Sequence, residues 1–247
     1  MATGETRPAV SDRVFRTLAD AVLSGRYEPG EKLPTQRRLA ADLGVNMTSV
    51  REALKRLEQL RLVESRQGDA MRVTDWRAQG GLDVIALVLV RSGALDRDAL
   101  DAVLEARASM LSEAGRLAAL RRDEEQATRL AELATAIAGA DHPEAAQALD
   151  FAFFAEVVDA SGNLVFVLVM NSIRELYFEH ADLFRGILSA PAPPSAAAGY
   201  HEAAAAIAAH DEAAAAAAVR QLAETQAEQL RAALAAHPPD QGLEEPA

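Results

Sequence analysis

The residues best suited to chemistry in this chain are cations and hydroxyls at helical spacing. Ser49, Arg51, Lys55 and Arg56 occupy the face opposite Val50, Ala53, Leu54 and Leu57 in one stretch, so an amphipathic helix would turn a basic, hydroxyl-bearing face outward. Such a face suits phosphate oxygens and base edges: guanidinium and ammonium groups neutralise charge, and Arg can grip guanine with two hydrogen bonds. A second set lies among apolar residues. Arg107 sits on the stripe of Leu100, Val103, Met110, Ala114 and Leu117, and Asp150 lies among Ala146, Leu149, Phe153 and Val157. A charge on an apolar stripe must be paired or must meet a ligand. A buried Arg107 to Asp150 ion pair and a ligand contact both satisfy that demand. Tyr177, on the stripe of Phe166, Met170, Ile173, Ala181 and Phe184, and Tyr200 can supply hydroxyls to an otherwise apolar pocket. Core packing with a satisfied hydroxyl is the other reading of both.

The elements that position the first set read as three helices and two strands. Ser11 caps a helix with Val14, Phe15, Leu18 and Val22 inward, and residues 27–30 make a turn. Thr35 caps a second, short helix that stops at Gly44; Asn46 caps the third. Residues 62–65 and 70–74 flank residues 66–69 as strand, turn and strand. Two helices joined across Gly44 and Val45, followed by a hairpin, form a winged helix-turn-helix.

From Trp76 onward strand signals are almost absent. Helices are predicted near 81–91, 96–121, 123–139, 143–159, 164–188, 196–209 and 211–235. The expected fold is mainly α: a winged helix-turn-helix DNA-binding domain with a small β-hairpin wing over 1–76, an all-helical bundle over 77–236, and a disordered tail over 237–247. The alanine runs 203–206 and 213–218 fit close helix packing or compositional bias equally well.

Charge supports this division. The net charge of −12 opposes nucleic-acid binding for the chain as a whole, yet residues 1–76 carry 13 cations against 11 anions, +2, while 77–247 carry 12 against 26, −14. Cysteine is absent, which excludes disulfides and thiol catalysis. The first residues show no basic stretch leading into a long apolar run, and no segment has the roughly 18 to 20 apolar residues of a membrane span. A soluble, unprocessed cytoplasmic protein is expected, with no membrane partner. No nucleophile elbow, phosphate loop or catalytic dyad points to an enzyme.

Residues 26–74, centred on RYEPGEKLPTQRRLAADLGVNMTSVREALKRLEQLRLVESRQG, resemble the winged helix of GntR-type bacterial repressors. The stretches SGNLVFVLVMNSIRELY and GYHEAAAAI extend the resemblance to the FadR subfamily, across residues 10–235. It implies DNA contacts at Arg37, Thr48, Ser49 and Arg51 and a wing tip at Gly68, on a palindromic operator bound by a homodimer. Asn46 and Met47 stand where many members have a hydroxyl residue followed by a base-reading Arg, so a different operator is implied. Many relatives also hold a divalent metal through one Asp and three His. Asp150 matches the Asp, but Phe154, Tyr200 and Leu222 occupy the imidazole positions, so no metal cofactor is expected. The implied effector is a long-chain fatty acyl-CoA, met by Arg107, Asp150, Tyr177 and Tyr200; the alternative is a hydrophilic organic or sugar acid.

Overall fold

The computed structural model describes residues 10–65, 70–91, 94–179 and 194–236, which divide into two compact units after Asp96. The predicted tail over 237–247, Gly68 at the wing tip and the 180–188 end of one predicted helix lie outside the described residues.

In the first unit α1 (Val10–Leu23) buries Val14, Phe15, Leu18, Ala19 and Val22 against α3 (Met47–Gln59), which returns Val50, Ala53, Leu54 and Leu57. Each fully buried Leu or Phe of this kind contributes roughly 1.5–3 kcal/mol. Between them α2 (Gln36–Asp42) ends in a left-handed turn: Gly44 has φ +63°, and Val45 N–H donates to Ala40 O at 3.0 Å. That bond closes the helix end and sets the entry to α3, and only glycine adopts the required φ without strain. The wing pairs β1 (Val63–Glu64) antiparallel with β2 (Arg72–Val73), Val63 facing Val73 and Glu64 facing Arg72. Residues 30–33 join its other edge, with Gly30 N–H to Val73 O at 2.8 Å and Leu33 N–H to Met71 O at 2.8 Å.

The stretch predicted as one helix over 81–91 is broken up. After α4 (Trp76–Gln79) come a single 3₁₀ turn (Leu82–Val84), a short α5 (Ile85–Leu89) and an antiparallel pair, β3 (Val90–Arg91) with β4 (Ala94–Leu95). The expectation of almost no strand beyond Trp76 is therefore corrected. Helical periodicity holds only as far as Leu89; beyond it β-branched Val90 starts a strand. These residues belong to the first unit because Val84 is buried in its core and Trp76, Leu87 and Val88 pack against it.

The second unit is all helical among its described residues: α6 (Arg97–Arg121), α7 (Glu124–Ala138), α8 (Pro143–Ala160), α9 (Leu164–Glu179), α10 (Pro194–Ala208) and α11 (Glu212–Ala236). Helices α6 and α11 are antiparallel neighbours, since Arg107 meets Gln226, Ser112 meets Ala216 and Arg116 meets Glu212. They pack tightly at Gly115, where a Cβ would stand 2.8 Å from Val219 Cγ2 and 3.0 Å from Ala215 O. The alanine runs are split by face: Ala203, Ala204, Ala215 and Ala218 are buried, whereas Ala205, Ala213, Ala214 and Ala217 are exposed. Close packing accounts for the first group only. Turns are pinned locally, by a reciprocal Asp123 and Gln126 capping box before α7 and by Arg121 donating to Ser161 O at 2.8 Å after α8.

Candidate DNA-reading surface and effector site

Within the helix-turn-helix, structural duties and free groups separate cleanly. Thr35 caps α2 by accepting from Arg38 N–H at 3.3 Å, and Asn46 Oδ1 caps α3 by accepting from Ser49 N–H at 2.8 Å. The outward orientation expected for Ser49 is corrected: it is only 8 % exposed. Its place four residues before Ala53 and eight before Leu57 puts it on the buried stripe. Arg56 is also engaged, pairing with Asp12 and lying 4.0 Å over the Phe15 ring of α1, and Arg38 pairs with Asp42 at 2.8 Å. Arg37, Thr48, Arg51 and Lys55 are exposed, and none of the three cations among them has a partner among the described residues. Met47 is exposed beside them. Glu58 accepts from Ser65 N–H at 3.2 Å and from its hydroxyl, tying α3 to the base of the wing.

In the helical unit, four side chains from four helices converge. Asp150 (α8) accepts on Oδ1 from the Tyr200 hydroxyl (α10) at 2.7 Å and from Gln226 Nε2 (α11) at 2.5 Å. Gln226 Nε2 also lies 2.9 Å from the Tyr200 hydroxyl, and its Oε1 accepts from Arg107 Nη2 (α6) at 2.9 Å. The charges of Arg107 and Asp150 thus communicate through the Gln226 amide, which the sequence reading missed. A signal for it existed: 226 continues the buried run Ala215, Val219 and Leu222 at helical spacing. The Arg107 guanidinium also lies 4.7 Å over the Phe154 ring, and Phe153 meets Tyr200 edge-on at 5.1 Å. Tyr177 lies in α9, but its side chain is outside the described residues.

Burial dominates the ionisations. It pushes the Asp150 carboxyl above the usual range, with the Arg107 charge and the hydrogen bonds from Tyr200 and Gln226 opposing, and it lowers Arg107. Burial and then the Asp150 charge hold the Tyr200 phenol protonated far above its ordinary pKa. This donor set does not fit a divalent metal. Asp150 Oδ1 is occupied by two donors, a guanidinium stands beside them, and Phe154 and Leu222 offer no lone pairs. His201, one residue beyond Tyr200, is exposed.

A winged helix with unpaired cations on its second and third helices, joined to a separate helical unit with a buried polar cluster, defines a ligand-responsive DNA-binding regulator. Residues 10–73 match the bacterial regulatory proteins of the gntR family and residues 102–225 match the FCD domain, and the chain belongs to the GntR family. It is 41% identical to the HTH-type transcriptional regulator Mce2R of Mycobacterium tuberculosis over 70% of this chain and 72% of that protein. It is 28% identical to the fatty acid metabolism regulator protein of Cronobacter sakazakii, over 74% of each. The solved structure of Lar, which controls the agr system of Listeria monocytogenes, shares the fold with a TM-score of 0.53 at 13% identity, covering 92% of this chain and 99% of that one. The protein is a DNA-binding transcriptional regulator with an FCD effector domain, not an enzyme. No helix among the described residues is long and apolar enough to cross a membrane.

Proposed function

We propose that this regulator binds a palindromic operator as a homodimer in the cytoplasm and loosens its grip when a long-chain fatty acyl-CoA enters the helical domain. The observation that carries the effector reading is Arg107. Its guanidinium uses one of its N–H groups on Gln226, and the others have no hydrogen-bond partner among the described residues. A desolvated cation with spare donors is a ready partner for a thioester oxygen, carboxylate or phosphate. The likeness to a fatty acid metabolism regulator favours an apolar body next to the acidic group.

The polar quartet of Arg107, Asp150, Tyr200 and Gln226 favours a second reading, a short hydrophilic acid. A thermal-shift panel separates the two, because only a ligand of the folded state raises the melting temperature by mass action. Long acyl-CoAs should stabilise and short organic or sugar acids should not; the opposite pattern selects the second reading.

On the DNA side, Arg37 and Arg51 grip phosphate or a guanine edge, Thr48 bonds phosphate, and Gly68 lets the wing approach the backbone. Asn46 and Ser49 serve by shaping the start of α3.

A further inference from the structure

Resting on α3 as the DNA-reading helix, the chemistry of its first turn goes one step further. Asn46 is committed to capping and Ser49 is buried. That leaves Met47, Thr48, Arg51, Glu52 and Lys55 outward. Met47 and Arg51 are four residues apart and share one face. Met47 is the one large hydrophobic of α2 and α3 exposed among their described residues, at 36%. A thioether at that point cannot accept or donate a strong hydrogen bond, yet it stands beside unpaired cations that would draw it to DNA. The major groove offers one apolar group, the C5-methyl of thymine.

We propose that Met47 is a specificity-determining residue that reads a thymine methyl in the operator, one helical turn from the contact made by Arg51. A flexible side chain suits this role, because sulfur and terminal methyl can follow the base edge without fixing a hydrogen-bond direction. The operator should then favour thymine at a position where an Arg at 47 would favour guanine.

The test uses the full-length protein. Sites are selected from a random duplex pool, and each thymine of the selected site is replaced singly by uracil, which removes only the C5-methyl. At least one uracil should weaken binding about threefold to fourfold, the worth of one buried methyl, for the unaltered protein and for Met47→Leu. With Met47→Ala the same replacement should have no effect, and Met47→Arg should redirect selection to guanine. Uracil tolerated at every position, or an equal loss with Met47→Ala, would overturn the proposal. Failure to select any sequence would overturn both the proposal and the DNA-reading role of α3.

Discussion

The hydroxyl of Tyr200 donates to Asp150 Oδ1 at 2.7 Å, joining α10 to α8 in the core of the helical unit. A hydrogen bond contributes about 0.5–1.5 kcal/mol to a neutral acceptor and about 1.5–3 kcal/mol to a charged one, and its loss leaves the buried carboxyl oxygen with one donor fewer. Tyr200→Phe should therefore lower unfolding free energy by about that amount while keeping the aromatic contacts to Phe153 and Phe154. Urea unfolding at neutral pH reads it; an unchanged midpoint would mean that the bond contributes nothing.

The same carboxyl should leave a signature in pH. Burial raises the folded pKa of Asp150 above the ordinary 3.8. The stabilisation from binding this proton is full below the unfolded value and is lost as pH rises through the folded one. Asp150→Asn removes that dependence. The stability difference, variant minus wild type, should grow as pH climbs from 3.8 and then level off; a difference that shrinks over this window would contradict the assigned direction.

Gly115 sets two effects against each other. In an ordinary helix interior, Gly→Ala gains about 1 kcal/mol, but here the new Cβ would meet Val219 Cγ2 at 2.8 Å and the Ala215 backbone oxygen at 3.0 Å. A branched side chain and a backbone atom give way poorly, so overpacking of about 1–3 kcal/mol should win. Gly115→Ala is expected to lower the melting temperature, and Gly115→Val more so.

Asn46→Ala and Arg51→Ala should separate folding from DNA reading. Losing the cap should cost about 1 kcal/mol of stability, whereas Arg51, exposed and unpaired, should leave stability unchanged and weaken operator binding by about 1–3 kcal/mol. Paired denaturation and mobility-shift titrations check both, and a stability loss with Arg51→Ala would show an internal role for it.

Legibility in the sequence followed the strength of the local rule. Long periodic helices such as α6, α7 and α11 were predicted nearly to the residue, because 3.6-residue periodicity and caps agree there. Arg107 and Asp150 stood out because charge on an apolar stripe needs a reason. Ser49 was assigned to the wrong face, since a hydroxyl reads as polar although its spacing to Ala53 and Leu57 is that of the core. Gln226 was missed for a similar reason: an amide on a helix passes as surface until its stripe is traced from Val219. The paired strands β3 and β4 are two residues each, too short for any periodicity to register.

The most direct test of the account is operator release titrated with C4, C8, C12 and C16 acyl-CoAs. Each buried CH₂ should add roughly 0.8 kcal/mol, so release should occur at progressively lower concentration along the series. Arg107→Ala and Tyr177→Phe should blunt the response and leave unliganded DNA binding close to normal. A ligand with equal affinity for both states shifts nothing, so release also requires that the acyl-CoA prefer the weakly binding form. A potency that rises with chain length and depends on Arg107 is the predicted result; a flat response across the series, or one indifferent to Arg107, would contradict it.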